Sequence, residues 1–347
     1  YIDSVLGAEY RLKFEVVNPM HGQDAAFVSA SGSGITISQV LAKNAPGNAA
    51  PLLIADFLIK RVGQSTPSAL ANNTISVTIR TRAALMAGTR ITVSGLTGSL
   101  TDDSALDLYG NSTALLGGSG VWTRQSASFV ATLQSDSDAA QLYVYRFVLK
   151  NPSTGQPPPP VYIESGGSTI INRTSVVAGS GNNVPMGIAQ WSASAMRIGQ
   201  MIPHASALNI IQVTLQISIA LPPGAAVTIS GLTGSDTPDG PMPMIDKGEQ
   251  FVALLHQPYT DLGPMWNQER GELVFTLKKE SKFGQEYQFA FNLRNSPLHQ
   301  ESPSVSIEVG GSIIVMKSEM FRDSGNKAPM LVAGFPVKEV NQSTPGL

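Results

Sequence analysis

The sequence has no cysteine among its 347 residues. That excludes disulfides, thiolate metal sites and cysteine nucleophiles together. It says little about compartment, because a chain with full-sized cores needs no covalent staples. Charge is also scarce. Asp, Glu, Lys and Arg make up 14% of the chain, against about 25% in ordinary soluble domains. A net charge of −2 provides no field to draw in nucleic acid or an anionic membrane. No apolar run approaches the roughly 18 residues of a bilayer span, so no membrane insertion is expected in this segment. Long amphipathic helices are hard to find. There is no His-Glu-x-x-His and no Gly-x-Ser-x-Gly elbow. Gly117-Gly118-Ser119-Gly120 leads into Val121-Trp122, so it reads as a linker and not as a phosphate cradle before a helix. The chain is expected to be no enzyme and to carry no cofactor.

In place of charge and helix there are 33 Gly and 23 Pro, and an internal repeat. Ile91-Thr92-Val93-Ser94-Gly95-Leu96-Thr97-Gly98-Ser99 returns 136 residues later as Val227-Thr228-Ile229-Ser230-Gly231-Leu232-Thr233-Gly234-Ser235. Alternation at period two places Ile91 and Val93 on one face of a strand, Thr92 and Ser94 on the other. The glycines release the backbone to turn.

Other stretches repeat as well. Tyr10 to Asn18-Pro19, Leu142 to Asn151-Pro152 and Tyr287 to Asn295 alternate and then stop. Proline cannot donate to a ladder, so the strand should end there. Gly22-Gln23 and Gly155-Gln156 sit in the loops that follow. Ala50-Pro51-Leu52-Leu53-Ile54-Ala55 matches Ala328-Pro329-Met330-Leu331-Val332-Ala333, with Val184-Pro185-Met186-Gly187-Ile188-Ala189 between them. Gln64-Ser65-Thr66-Pro67 reappears as Gln342-Ser343-Thr344-Pro345, and in the middle copy as Gln200-Met201-Ile202-Pro203. Asn73 to Arg80 is the cleanest half-buried strand, with Ile211 to Ile217 as its counterpart.

Short strands separated by turn chemistry argue for an all-β chain of tandem immunoglobulin-like antiparallel β-sandwich domains, with seven or eight strands each. Trp122 and Trp266 stand at equivalent places before a strand, which starts the repeat near the tryptophan. The expected units are residues 1–121 without a first strand, 122–265 complete, and 266–347 without the last strands. The chain then reads as a window on a longer polypeptide. The two tryptophans read as plugs at the hinges between domains, with ordinary core positions as the alternative.

These motifs together resemble the tandem repeats of very large cell-surface proteins of single-celled algae and other protists, of mastigoneme or cell-coat type. The resemblance covers nearly the whole chain. It implies a secreted, glycosylated, multi-domain polypeptide that packs with other copies of itself or with neighbouring repeats in a fibre. The departures of the middle copy at Met201-Ile202 and at Trp191 read as contacts specific to position in the array.

Few residues are candidates for chemistry. Asp102 and Asp103, and after the second SGLTGS stretch Asp236 and Asp239, would place carboxylates in a loop at a domain end. There they would hold calcium or serve as polar turn residues. Four Asn-x-Ser/Thr sequons, at Asn72, Asn111, Asn172 and Asn341, are candidate glycosylation sites. Pro157 to Pro160 is a short polyproline II segment, either a stiff loop or a site of hydroxylation and sugar attachment. His21, His204, His256 and His299 lie far apart and read as loop histidines.

The leading expectation is an extracellular or cell-surface structural protein, part of a rod, filament or appendage. The alternative is an adhesin or carbohydrate-binding module of the same fold, with function in loops at one end of each sandwich. A catalytic domain elsewhere in the parent, with these repeats as spacers, and a viral fibre are weaker readings.

Overall fold

A computed structural model describes residues 7–8, 11, 13–32, 35–40, 47–246, 252–255, 263–334 and 339. The described N-terminal segment carries one hairpin, β1 (Ser29–Gly32) and β2 (Ile35–Val40). Next come β3 (Phe57–Gln64), β4 (Asn72–Thr81), β5 (Arg90–Ser94), β6 (Ser104–Asp107) and β7 (Ser119–Thr123). They are followed by β8 (Ser128–Thr132), β9 (Leu142–Lys150), β10 (Tyr162–Gly166), β11 (Ile171–Ser175) and β12 (Val177–Ala178). These ten strands form two sheets, ordered β11-β10-β5-β8-β7-β6 and β12-β3-β4-β9.

The pattern then repeats. β13 (Trp191–Gln200), β14 (Leu208–Ile217), β15 (Ala225–Ser230), β16 (Gly240–Pro241) and β17 (Met244–Asp246) precede a one-turn helix, α1 (Val252–Leu255). β18 (Met265–Asn267), β19 (Glu272–Thr276), β20 (Glu286–Arg294), β21 (Ser306–Gly311), β22 (Val315–Glu319) and β23 (Phe321–Arg322) complete it. The sheets are β16-β18-β19-β15-β21-β22 and β17-β20-β14-β13-β23. The fold is therefore all-β, with two tandem sandwiches. The strand count exceeds seven or eight in both sandwiches. Edge strands of two or three residues account for part of the excess, β12 in the first and β16, β17 and β23 in the second. Two of these short edges, β12 on β3 and β23 on β13, pair in parallel.

Alternation determines what is buried. In β4, Asn73, Ile75, Val77, Ile79 and Thr81 point inward, and in β14 so do Asn209, Ile211, Val213, Leu215 and Ile217. β5 and β15, the SGLTGS strands, sit at the centre of each six-stranded sheet with Ile91, Val93, Val227 and Ile229 in the cores. Both turn at a glycine with φ near +90°. A Cβ on Gly95 would meet Pro160 O at 2.2 Å, and one on Gly231 would meet Ser304 O at 2.2 Å. Only glycine fits this approach.

The boundaries differ from those expected. One core runs from Phe57 to Met186 and the other from Ala189 to Met330. The expected cuts at 121/122 and 265/266 fall inside β7 and β18. β9 lies beyond the first cut, yet it pairs with β4 from Asn72↔Lys150 to Arg80↔Leu142. A repeated motif fixes the period of an array but not its phase. The fold divides where the fewest core contacts cross. The hinge-plug reading of the tryptophans fails for the same reason. Trp122 and Trp266 are buried within their own cores, and each Nε1 donates to a loop carbonyl, Thr101 O at 3.0 Å and Thr237 O at 2.9 Å.

Candidate functional site at the ends of the sandwiches

Three carboxamides organise one end of each sandwich. Asn73, fully buried, donates from Nδ2 to Gln64 Oε1 (2.9 Å) and Asn151 Oδ1 (2.8 Å). Its Oδ1 accepts the N–H groups of Ser65 (3.1 Å) and Thr66 (3.4 Å). Asn151 Nδ2 donates to the carbonyls of Thr66 (3.1 Å) and Ser68 (2.8 Å). Gln64 Nε2 donates to the carbonyls of Asn182 (3.0 Å) and Gly187 (2.8 Å). The second sandwich repeats the arrangement. Asn209 donates to Gln200 Oε1 (2.8 Å) and Asn295 Oδ1 (2.9 Å), and accepts from Met201 and Ile202 N–H.

Buried amides are tolerated only when their donors and acceptors are met. Here loop backbone meets them, which joins the Asn-Pro strand end to the Gln-Ser-Thr-Pro turn. Met201 and Ile202 replace Ser65 and Thr66 but keep the same backbone bonds to the asparagine. The substitution therefore loses only hydroxyl contacts, such as Ser65 Oγ with Thr74 N–H. Trp191, likewise, packs against the second core. Neither departure is an array-specific contact among the described residues. Sequence reasoning treated Asn151 and Asn295 as strand stops. Only half of the signal for their partnership lay in spacing. Gln64 and Asn73 stand 9 residues apart, as do Gln200 and Asn209, whereas Asn73 to Asn151 is 78 residues and Asn209 to Asn295 is 86.

A second polar element crosses from one unit to the next. Asn182 lies in the 3₁₀ turn Gly181–Asn183, near the end of the first sandwich and just ahead of Met186, the last residue of its core. Its Nδ2 donates to Ala220 O (2.8 Å) and its Oδ1 accepts Ala220 N–H (3.1 Å), so one side chain holds both backbone groups of one residue in the second sandwich. Asn48, in the turn Gly47–Ala49, holds Ala84 of the first sandwich in the same way, at 2.7 and 2.9 Å. The surroundings differ. Arg82 ties the first joint to Asp56 (2.9 Å) and Asp24 (2.7 Å), both of which hold its guanidinium pKa above the usual arginine value. The second joint instead has Gln190 N–H on Ser218 Oγ (3.1 Å), and Ile314 N–H on Ser68 Oγ (3.1 Å).

The acidic candidates do not form a repeated pair. Asp103 and Asp239 occupy equivalent positions, and each Oδ1 accepts a backbone N–H, of Arg124 and Gln268, at 2.6 Å. Asp102 faces the Arg124 guanidinium at 3.3 Å, and Asp236 gives its N–H to Arg294 O (2.9 Å). Among the described residues no three His, Asp or Glu side chains gather as metal ligands. The structure gives Asp103 and Asp239 the turn role.

Asn72, Asn111 and Asn172 are exposed, on β4, in the loop after β6 and on β11. Asn111 Oδ1 accepts Val144 N–H (2.9 Å). Asn341 and His256 lie outside the described residues. His21 and His204 are exposed, and His299 sets Nδ1 2.7 Å from Val332 O and Nε2 3.5 Å from Glu301. Pro157 to Pro160 form an irregular link into β10.

No family model and no curated protein matches the sequence. Among solved structures, the C-terminal domain of AspA, an antigen I/II-family protein of Streptococcus pyogenes, is 10% identical with a TM-score of 0.38. That match covers 76% of this chain and 99% of that one. A structure containing manganese lipoxygenase of Gaeumannomyces graminis and part of a zonadhesin of Komagataella pastoris is 11% identical with a TM-score of 0.22, covering 78% and 94%. Likenesses this distant carry no inference about what the chain does.

Proposed function

We propose that the chain is part of an extracellular structural protein in which β-sandwiches follow one another head to tail to make a rod, filament or surface appendage. The observation that supports this reading is the recurrence of the joint. Asn48 on Ala84 and Asn182 on Ala220 make the same two-point contact at successive units. A contact that returns at each period belongs to an array with fixed geometry between neighbours. The partners are then further copies of the repeat, and glycans at the exposed Asn72, Asn111 and Asn172. The exposed Phe and Tyr rings among the described residues are Phe14, Phe27, Tyr109, Phe283 and Phe321, and glycan binding by a cluster of such rings at one end of a sandwich would favour the adhesin reading instead.

Electron microscopy of the purified chain tests the arrangement. Two lobes at constant separation are expected, and a single lobe that merges residues 57–186 with 189–330 overturns it. For the sugars, intact-mass measurement of native material should exceed the bare polypeptide.

A further inference from the structure

The turn Gly325–Lys327 is the third copy of the joint. Ser324 precedes it in extended backbone (φ −100°, ψ 162°), as Ser180 precedes the second copy (φ −106°, ψ 155°). Gly325 is left-handed at φ +59°, matching Gly181 at +56°. Ala328 N–H closes the turn on Gly325 O, as Val184 N–H does on Gly181 O. Gln200 Nε2 donates to Asn326 O at 3.2 Å, as Gln64 Nε2 does to Asn182 O. The platform is thus built and held from inside the second sandwich. Asn182 is half-buried against its partner, whereas Asn326 is exposed and its carboxamide has no hydrogen bond among the described residues.

The receiving element is also built in duplicate. Ala84 and Ala220 lie between the second and third long strands of their sandwiches. The next residue is fixed in each case. Leu85 N–H donates to the buried Ser137 Oγ (2.8 Å), and Leu221 N–H to the buried Ser281 Oγ (2.8 Å). The asparagine reads a backbone N–H and C=O, and no side chain of the partner.

We propose that Asn326 is a docking residue for a further sandwich of the same repeat, clasping the backbone of that unit's residue equivalent to Ala84 and Ala220. This rests on the head-to-tail reading above and adds the residue that fixes the next joint. Two neutral hydrogen bonds fall far short of the freedom lost when separate molecules associate. The partner is therefore a sandwich connected through the chain, where effective concentration is high.

The test uses the full chain with an added copy joined in register. Because Gln342-Ser343-Thr344-Pro345 matches Gln64-Ser65-Thr66-Pro67, residues 1–345 followed directly by residues 68–347 reproduce the connection. The absence of cysteine allows paired spin labels. Gln141→Cys with Lys282→Cys spans the existing joint. Lys282→Cys with the added copy's Gln141→Cys spans the new one. Narrow distance distributions are expected at both joints. Asn182→Ala should broaden the first and Asn326→Ala the second, each about twofold, as a loosened joint samples more orientations. A narrow existing joint beside a new joint that is broad, or unmoved by Asn326→Ala, overturns the docking role alone. An existing joint that is itself broad and indifferent to Asn182→Ala overturns the head-to-tail reading too.

Discussion

The two sandwiches share one plan but pack different side chains into it. In the first, Phe129 stacks on Phe147 at a centroid distance of 3.9 Å, and Ala131 lies beside it on the same strand. In the second, the corresponding pair on β19 is Leu273 and Phe275, and Phe275 meets Phe289 edge-on at 5.8 Å. The large ring has moved two residues along the same inward face. β5 carries Ile91 then Val93, whereas β15 carries Val227 then Ile229. Volume is kept while shape is redistributed, the kind of change that cores tolerate best. The carboxamide network, by contrast, is the same in both. Apolar packing has many near-equivalent solutions. A buried donor and acceptor set has few, because each atom left unpaired is costly.

That contrast can be broken most severely at the network. Asn73→Ala leaves Asn151 Oδ1 and the N–H groups of Ser65 and Thr66 without their partner and should lower the stability of the first sandwich by about 3 kcal/mol. Asn209→Ala should do the same to the second. Calorimetry should show one transition moving while the other stays. A uniform shift of both would mean that the two cores unfold as one. Next come the central turns. Gly95→Ala and Gly231→Ala drive a Cβ into a carbonyl at a left-handed position. Each should cost about 2 kcal/mol in denaturant titration.

A smaller effect, of opposite sign, is expected at Tyr145. Its hydroxyl is fully buried without a partner among the described residues, and burial pushes its pKa up. Its counterpart, Phe289, has no hydroxyl to bury. Tyr145→Phe should therefore stabilise the first sandwich by about 1 kcal/mol, and Phe289→Tyr should destabilise the second by a similar amount. The pH dependence sharpens this. Unfolded tyrosine ionises near pH 10, while the buried one stays protonated. The native state then binds more protons, so stability falls as pH rises past about 10. Denaturation in that range should be shallower for Tyr145→Phe than for the parent. The smallest effect should come from exchanging Ile91→Val together with Val93→Ile, which copies the second sandwich into the first. A change under about 1 kcal/mol is expected, and a larger one would show that the two cores are not interchangeable layer by layer.

Much of this plan was legible in the sequence. Period-two burial in β4 and β14 follows directly from apolar residues alternating with hydroxyls and amides. The SGLTGS glycines announced a turn that no side chain fits. The phase of the repeat was not legible. Trp122 and Trp266 mark equal positions in successive units, but a marker does not say whether it begins a unit or lies in its middle. Burial of their rings beside Thr101 and Thr237 does. The joints were hidden for a different reason. Asn48, Asn182 and Asn326 stand in loops where asparagine is ordinary turn chemistry. Nothing local distinguishes an amide that reaches 36 or 38 residues onward, as in Asn48 to Ala84 and Asn182 to Ala220.

The parallel edges bear on how such a chain would respond to force. β12, the last strand of the first sandwich, lies alongside β3, the first, through Val177↔Arg61 and Ala178↔Val62, and Gly179 N–H continues the ladder to Val62 O. β23 and β13 are placed alike, with Asp323 N–H reaching Ile198 O. Tension enters a sandwich through its first strand and leaves through its last. Because these strands are neighbours running the same way, a pull along the chain slides them past each other. The cross-links are then loaded together, not peeled open one by one. A patch of three contacts thus stands between an applied load and the interior of each unit.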